Sequence, residues 1–422
     1  MSQSFRIVLV SEHASAKFGG EAALPLHYYR VLRARNIPVW LVVHERTRVE
    51  LAALYPDDIG SRILFIPDTW VHRFLWRIGR ILPARIASFS VGFAMRIFSQ
   101  ILQGRIIRKI VREQGITVIH QPMPVSPKEP SLIFNMGAPV IIGPMNGGMD
   151  YPSSFRSLQG VTERVSLWIG RRFANVMNVI FPGKRKAALL LVANERTKQA
   201  LPDCVNKVPV EILVENGVDM SLWANNDDQA TARSGTPIFI YMGRLVDWKA
   251  IDILVTAFAD ASKVTKMMLF IIGDGVERQR LEELAFKLNV LGSDSRQGSI
   301  QFKGWLSQAE CVVQLRGADA LVLPSLMECG GAVVLEAMAM SIPVIATKWG
   351  GPTDYLDSEC GILIDPLSRE YMVESLAKAM IALAESPERR QLMGVVARQR
   401  IESQFDWELK VDQMIEFYRR VA

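Results

Sequence analysis

Short apolar runs alternate with helix-like stretches along most of the chain, and this alternation limits the fold more than any other feature of the sequence. Residues 5–10 (FRIVLV) have the continuous apolar character of a buried parallel strand. A glycine-containing loop and a helical stretch to Arg35 then lead to a second apolar run at 37–43. The further strands predicted in this half are at 117–120, 139–142 and 189–194. Such an order predicts a parallel sheet covered by helices.

A second alternating set begins at residue 237. Its strands are predicted at 237–243, 267–273, 299–304, 319–325 and 343–347, and its helices at 250–262, 276–289 and 332–340, followed by a long helical tail. The polar stretch 224–237 is rich in turn formers and is predicted to be a linker. A chain of 422 residues suits two domains of roughly 200 residues each. We therefore expect two Rossmann-like halves.

Composition argues against several other classes. Apolar residues make up 49% of the chain, which is typical of a globular protein. The four cysteines lie far apart without C-x-x-C spacing, which argues against a disulfide framework or a zinc site and suits a reducing cytoplasm. The first apolar run is too short for a secretory signal, and no run approaches the roughly 18 residues of a membrane span. The five histidines are scattered through the first half, so we expect no ligand cluster and no metal.

The basic residues are concentrated in one segment. Residues 69–112 contain nine Lys or Arg and no acid, whereas the whole chain has a net charge of +6. From residue 70 to 85 the arginines interleave with tryptophans and aliphatic residues, and 168–186 is similar. This pattern favours a helix lying on an anionic membrane surface. The alternative is two long core helices with solvated arginines. Nucleic acid is not an expected partner, because the basic residues interleave with tryptophans.

The segment Pro324–Gly351 is the most informative about chemistry, because it joins two strands through a glycine loop and a helix. Gly330 and Gly331 leave the backbone open to a ligand, and the following helix start offers free N–H groups and a positive dipole end, which suits a diphosphate. Glu336 lies within the apolar run AVVLEAMAM, where an unpartnered, desolvated carboxylate is unfavourable by several kcal/mol. A solvated helix stripe is the alternative, but binding of a sugar hydroxyl pair explains Glu336 better.

The pattern E328-x7-E336, with LVLPS before it and EAMAMSIPVIAT and a glycine pair after it, resembles retaining glycosyltransferase family 4. The likeness extends to YMGRLVDWKAIDILVTAF, LFIIGDGVERQRLEELA, FKGWLSQAE and VENGVD, and together these stretches cover nearly all of 213–367. The first half is similar in layout and looser in residues. The resemblance implies an α/β fold of GT-B architecture, with two Rossmann-like domains and a deep interdomain cleft.

The same resemblance implies a domain layout. Residues 1–220 are expected to form the acceptor-binding domain and 221–400 the nucleotide-sugar-binding domain. Residues 401–422 are expected to form a helix that crosses back to the first domain. Closure about the linker would assemble the site.

Site residues can be carried over to the second domain. Arg244, which follows Gly243, and Lys249 are expected to neutralise the donor diphosphate as it leaves, in place of a metal. Glu336 is expected to bind the donor ribose, and Glu328 the transferred sugar. The backbone expected to hold the sugar hydroxyls is that of Gly330, Gly331, Ala332 and Val333. Two departures leave the identity of the sugar open: Ser341 stands where the family usually has glycine, and Cys329-Gly330-Gly331 follows Glu328 in place of a Gly-Phe-Gly-like stretch.

Three further candidates lie in the first half. Gly19 and Gly20 follow the first strand, where the family has a glycine loop against the diphosphate and acceptor, although an ordinary turn explains them equally well. His120 ends a predicted strand and is either a histidine facing the transferred sugar or a structural histidine. The loop GPMNGGMDYP, with Asn146, Gly147 and Gly148, is expected to help hold the acceptor or donor.

The resemblance implies a hexosyltransferase (EC 2.4) that is retaining and metal-independent and uses no cofactor. Its partners would be a UDP- or GDP-sugar donor and a saccharide or lipid-linked acceptor, used in the cytoplasm or at the inner face of the cytoplasmic membrane. A surface polysaccharide or glycolipid would be the product. The alternatives are a nucleotide-sugar epimerase or phosphorylase of the same fold, and a membrane-binding protein without enzymatic activity.

Overall fold

The computed structural model describes residues 5–81, 91–223, 235–292 and 298–422. Contacts within the chain define two compact units. The first comprises Met1–Gly148, Arg164–Glu215 and Lys410–Ala422, and the second comprises Met149–Glu163 and Asn216–Leu409. Each unit is built on one parallel sheet. The predicted linker falls mostly outside the described residues.

These units differ from the expected domain boundaries in three places. The second unit resumes at Asn216 rather than at residue 221. Residues 149–163 belong to the second unit, because Trp349 Nε1 donates a hydrogen bond to the backbone oxygen of Asp150 at 2.9 Å. The rings of Tyr151 and Phe155 are also buried. At the other end, the chain rejoins the first unit at Lys410 rather than at residue 401.

The first unit contains a seven-stranded sheet in the order β3-β2-β1-β4-β5-β6-β7. Its strands are β1 (Ile7–Val10), β2 (Val39–His44), β3 (Ile63–Ile66), β4 (Val118–Gln121), β5 (Val140–Met145), β6 (Leu189–Val192) and β7 (Val210–Ile212). Strands β1, β2, β4, β5 and β6 are buried along their whole length, which explains their continuous apolar sequences. The strand order reverses between β1 and β4, and in open α/β sheets ligands bind at such a switch point.

Helices cover this first sheet. They are α1 (Gly20–Ala34), α2 (Arg48–Leu54), α3 (Trp70–Ile81), α4 (Phe93–Gln114), α5 (Val161–Ile180) and α6 (Glu195–Gln199). Helix α4 packs against β2 and β3, and Ile107, Ile110 and Val111 join the core formed by the sheet.

The second unit contains a six-stranded sheet in the order β10-β9-β8-β11-β12-β13. Its strands are β8 (Ile238–Met242), β9 (Met267–Ile272), β10 (Gly298–Gly304), β11 (Ala320–Leu323), β12 (Val344–Thr347) and β13 (Gly361–Ile364). Here the order reverses between β8 and β11, and Phe239 pairs with Ala320 across that point.

The remaining helices are α7 (Met220–Trp223), α8 (Ile251–Ser262), α9 (Arg278–Lys287), α10 (Gln308–Arg316), α11 (Ala332–Ala339), α12 (Pro352–Tyr355), α13 (Arg369–Glu385), α14 (Pro387–Arg400) and α15 (Trp407–Val421). Helix α8 packs on α13, and α11 packs on α14. The last helix, α15, begins in the second unit and ends in the first. Within the described ranges, no helix has the length and apolarity needed to cross a membrane.

The prediction of two Rossmann-like sheets is confirmed. Every predicted strand overlaps an observed one, whereas β3, β7 and β13 were not predicted. These three strands are short and only partly buried, so their sequences lack the long apolar runs of the other strands.

Candidate functional site

Two loops meet at the switch point of the second sheet. One follows β8 and carries Arg244 and Lys249, and the other follows β11 and carries Glu328. The backbone oxygen of Trp248 in the first loop accepts hydrogen bonds from the N–H groups of Leu326 and Met327 in the second, at 2.9 and 3.3 Å. The predicted cations and the first glutamate are therefore held together by backbone contacts.

Lys249 and Glu328 form an ion pair at this point. Lys249 Nζ donates to Glu328 Oε2, and the Ser325 hydroxyl donates to the same oxygen at 3.3 Å. The two charged side chains are only 16% and 13% exposed, so each loses part of its hydration and depends on the other. A second anion near Lys249 would be attracted by this same ammonium group.

Arg244 is the uncompensated cation of the site. Its side chain is exposed, and its guanidinium lies over the Trp248 ring with the central carbon 6.0 Å from the ring centroid. Within the described ranges no carboxylate pairs with it. An exposed arginine without a counter-ion at a strand end is well placed to receive a diphosphate.

Glu336 lies in α11 among buried neighbours, and its side chain has no hydrogen bond or ion pair within the described residues. Burial raises the pKa of its carboxyl group to about 7. A partly exposed carboxylate with no protein partner retains its full capacity to accept hydrogen bonds from ligand hydroxyls.

The loop between Glu328 and α11 is shaped by glycine. Gly331 adopts φ +80° and is the N-cap of α11. The first N–H groups of a helix have no intrahelical partner. Ala332 and Val333 begin the helix and are only partly buried. A Cβ atom on Gly351 would collide with the carbonyl oxygen of Gly330. Gly351, in the glycine pair after β12, therefore packs directly against this loop. In the sequence, that pair was recognised only as part of the family pattern.

Two other glycine features agree with a close-packed site. Gly243 ends β8 with φ +155°, and a Cβ there would lie 2.9 Å from the Tyr241 hydroxyl oxygen. Ser341, which stands where the resembled family usually has glycine, adopts φ +58°. The backbone keeps the left-handed conformation that glycine favours although the side chain has changed.

In the first unit, Gly19 and Gly20 form the start of α1. Gly19 is the N-cap with φ +101°, and no atom lies within 4 Å of a Cβ built on either glycine. Among the described residues no side chain caps this helix, so its first N–H groups have no side-chain acceptor. This geometry is compatible with an anion at the helix start.

His120 is a structural histidine in this structure. It is fully buried, its Nε2 donates to the Gly143 backbone oxygen at 2.7 Å, and its Nδ1 accepts from the Tyr418 hydroxyl at 2.7 Å. Burial lowers its pKa to about 4. Both ring nitrogens are used, so the geometry does not support the catalytic role that the sequence suggested.

The loop Asn146–Gly148 also has a structural explanation. Asn146 is buried and donates to Glu215 Oε1 at 2.7 Å. Gly147 N–H donates to Thr197 Oγ1 in α6 at 3.1 Å. A Cβ on Gly148, which has φ +72°, would lie 2.7 Å from that of Ala200. Tight packing against α6 thus accounts for these residues without a ligand.

The expectation that the histidines are scattered is wrong for His44 and His72. Together with Asp68 they place ligand-type atoms within 4.8 Å of one another, because β2 ends beside the first turn of α3. Asp68 already pairs with Arg46 at 3.3 Å, and His44 Nδ1 accepts from the Arg46 N–H. Neutral His44 therefore carries its proton on Nε2, the atom facing Asp68, which fits a histidine–carboxylate contact better than a bound cation.

Solved structures similar to this chain share its fold over almost the full length. Sucrose-phosphate synthase from Thermosynechococcus elongatus covers 99% of this chain and 98% of its own, with a TM-score of 0.66 and 19% identity. HepE of Anabaena in complex with UDP covers 99% of this chain and 100% of its own, with a TM-score of 0.65 and 15% identity. The chain therefore has the GT-B fold of these structures, as predicted.

Sequence comparison points to the same family for the second half of the chain. The family model described as Glycosyl transferases group 1 matches residues 224–400, which is less than half of the chain. The alpha-maltose-1-phosphate synthase of Mycolicibacterium smegmatis is 29% identical over 274 residues, which cover 61% of this chain and 67% of that protein. The alignment to a glycogen synthase of Mycobacterium tuberculosis spans 45% of that protein, and the alignment to a D-inositol 3-phosphate glycosyltransferase of Kineococcus radiotolerans spans 58%.

Proposed function

We propose that this protein is a retaining, metal-independent hexosyltransferase that moves a sugar from a UDP- or GDP-sugar to a saccharide or lipid-linked acceptor. The observation that carries the proposal is the unpartnered carboxylate of Glu336 in α11, the helix that follows the glycine loop and the paired Glu328. An isolated carboxylate that destabilises the fold is best explained by a ligand that compensates it. The ribose hydroxyls of a nucleotide sugar are such a ligand.

Each residue of this cluster has a role in the proposed reaction. Arg244 and Lys249 hold the diphosphate, and the start of α11 adds N–H groups and a positive dipole end. Because Lys249 also binds Glu328, a bound diphosphate would share its ammonium with that carboxylate. Glu328 then faces the transferred sugar, where a negative charge stabilises the developing oxocarbenium ion.

In this reaction the bond from the anomeric carbon to the donor phosphate oxygen breaks, and a bond from the same carbon to the acceptor oxygen forms. The departing phosphate oxygen takes the acceptor's hydroxyl proton on the same face of the sugar, so the configuration is retained. The cations stabilise the charge that builds on the leaving diphosphate, which is the task a metal ion performs in other transferases.

Two enzymes of the same fold are the alternatives. An epimerase is disfavoured by the Glu328-x7-Glu336 arrangement, and a phosphorylase by the lack of a recognisable lysine motif for pyridoxal phosphate. Both enzymes would release products that differ from those of the proposed transferase, so the donor assay below also tests these alternatives.

The experiment is donor hydrolysis and binding with UDP-, GDP- and ADP-sugars in EDTA. Glu336→Ala and Lys249→Ala are the test variants, and Lys263→Ala is the matched control, because Lys263 is an exposed lysine paired only with a neighbouring aspartate. We expect slow release of one nucleoside diphosphate by the parent protein and the control. Both test variants should lose it.

The possible outcomes of this experiment distinguish the functional hypotheses. Loss of release on adding EDTA would contradict metal independence, and release of a free epimerised nucleotide sugar would favour the epimerase. A folded protein that binds no nucleotide sugar would contradict the proposal as a whole. It would leave membrane binding without catalysis as the better hypothesis.

We further propose that α3 rests on an anionic membrane surface, which would place a lipid-linked acceptor and a surface polysaccharide or glycolipid product at the inner face of the cytoplasmic membrane. His72 is buried on the inner side of α3, whereas Trp70, Phe74, Trp76 and Ile81 are 71%, 55%, 51% and 84% exposed. Three arginines of the same helix are exposed, and Arg80 lies over the Trp76 ring at 5.0 Å. The second basic segment exposes apolar residues as well, among them Phe173 and Ile180.

Liposome flotation tests this placement. We expect flotation with vesicles containing phosphatidylglycerol and little with phosphatidylcholine alone. Phe74→Ser should reduce flotation, and Phe286→Ser is the matched control because Phe286 is 72% exposed on α9, far from any basic cluster in sequence. Equal flotation with both lipids, or equal loss in both variants, would contradict the proposal.

A further inference from the structure

A small polar cavity lies at the switch point of the first sheet. It has a volume of about 40 Å³ and opens where β1 and β4 end. Its lining consists of Ser11, Glu12, Arg96, Ser99, Gln100, Gln103, Gln121, Met123 and Pro124. A buried water needs about 10–15 Å³ of such space, so the cavity has room for a few waters or for one hydroxymethyl group.

Three buried amides are half-satisfied in this cavity. Gln103 Nε2 donates to the Ser11 backbone oxygen at 2.7 Å, Gln121 Oε1 accepts from the Ser131 hydroxyl at 2.6 Å, and Gln100 Oε1 accepts from a backbone N–H at 2.7 Å. The three side chains belong to residues only 2% to 5% exposed. Within the described ranges, the opposite end of each amide has no protein partner. Two free NH₂ groups and one free carbonyl therefore line the cavity.

A carboxylate and a guanidinium complete the lining. The side chain of Glu12 has no hydrogen bond in the described part of the chain, and burial raises the pKa of its carboxyl group. Arg96 lines the cavity and pairs with Glu129 through Nε. A lining that contains both hydrogen-bond acceptors and donors matches a hydroxyl group, which both donates and accepts.

The lining argues against other ligands of the same size. A phosphate would meet the carboxylates of Glu12 and Glu129, and the guanidinium of Arg96, which lines the cavity, is already paired with Glu129. A hydroxymethyl or hydroxyl pair carries no charge and offers donors to Glu12 and acceptors to the amide NH₂ groups.

We propose that this cavity is a subsite for the acceptor, in which Glu12, Gln100, Gln103 and Gln121 bind the hydroxyl or hydroxymethyl group of a neutral saccharide. The inference rests on the proposed glycosyltransferase function. It identifies the acceptor as a neutral saccharide. It also assigns acceptor specificity to side chains that no motif of the sequence identifies.

The test measures saccharide binding and donor hydrolysis separately. Methyl α-glucoside, methyl α-galactoside and methyl α-mannoside are the probes, and binding is followed by saturation-transfer NMR. We expect at least one probe to bind, and Glu12→Gln and Gln121→Leu each to weaken it by about tenfold or more, as expected for a lost hydrogen bond to a buried partner. Donor hydrolysis by both variants should stay within about twofold of the parent protein.

Glu113→Gln is the matched control, because Glu113 is a solvent-exposed glutamate at the far end of α4. Glu12→Gln keeps the size of the side chain, so it reports on the subsite even if Gln121→Leu fails to fold. Failure of every glycoside to bind a protein that hydrolyses its donor would overturn the subsite, and so would unchanged binding in Glu12→Gln. Failure of donor hydrolysis in the parent protein would instead contradict the proposed function.

Discussion

The charge of Glu336 should destabilise the folded protein in a pH-dependent way, and Glu336→Gln should remove that effect. Burial raises the pKa of this carboxyl group from 4.5 to about 7. Below pH 4.5 the group is protonated in both the folded and the unfolded state, so it contributes no difference. Above pH 7 it is ionised in both, and the folded state bears the full penalty. A shift of one pKa unit corresponds to about 1.4 kcal/mol, so the penalty is about 3 kcal/mol.

We therefore expect Glu336→Gln to gain up to about 3 kcal/mol of unfolding free energy at pH 8 relative to the gain at pH 4.5. Urea denaturation of the parent protein and the variant, followed across this range, measures the difference. Glu283→Gln is the control, because Glu283 is exposed on α9 and its removal should change stability equally at both pH values.

The same variant should bind the nucleotide more weakly, since an amide offers a ribose hydroxyl pair one acceptor oxygen in place of two. A gain in stability together with a loss of binding is expected for a residue kept for function. Equal stability changes at pH 4.5 and pH 8 would refute the reasoning, because they would show that the folded and unfolded states bind the proton equally well.

Further predictions concern single contacts. Lys249→Ala should raise the Kd of the nucleoside diphosphate at least about tenfold by calorimetry, because the ammonium that balances Glu328 is lost. Tyr418→Phe should lower the free energy of unfolding by about 1–2 kcal/mol without changing donor hydrolysis, because it leaves the buried His120 Nδ1 without its donor. Ser341→Gly should raise the free energy of unfolding by about 1 kcal/mol, because glycine adopts φ +58° without the strain that a Cβ atom causes. An unchanged urea midpoint would contradict this prediction.

Most of the fold was predictable because parallel strands buried on both faces leave continuous apolar runs, as in IVLV of β1 and VIAT of β12. The prediction failed where burial is partial. In β7 all three residues are partly or fully exposed, and in β13 two of four are half-buried, so neither run stands out from a loop.

The candidate site of the second unit was predictable in part, because Glu328 and Glu336 are conspicuous within an apolar stretch. The structure adds that one of them is paired and the other is not, which spacing alone does not reveal. His120 shows the opposite case. The sequence pattern of a histidine at a strand end is the same for a ligand-binding residue and for a structural one. For His120 the hydrogen bond with the Tyr418 hydroxyl, which is distant in sequence, identifies the structural role.

Each unit holds a carboxylate with an ion-pair partner and one without, among the residues that the structure describes. Glu129 pairs with Arg96 and Glu328 with Lys249, whereas Glu12 and Glu336 have no ion-pair partner within the described residues, and burial raises the pKa of both. A carboxylate needed only for packing would be improved by replacement with an uncharged side chain. Glu12 follows β1 at one switch point, and Glu336 lies in the helix that follows β11 at the other. Their retention is explained if each unit compensates its free carboxylate with hydroxyl groups of its own ligand.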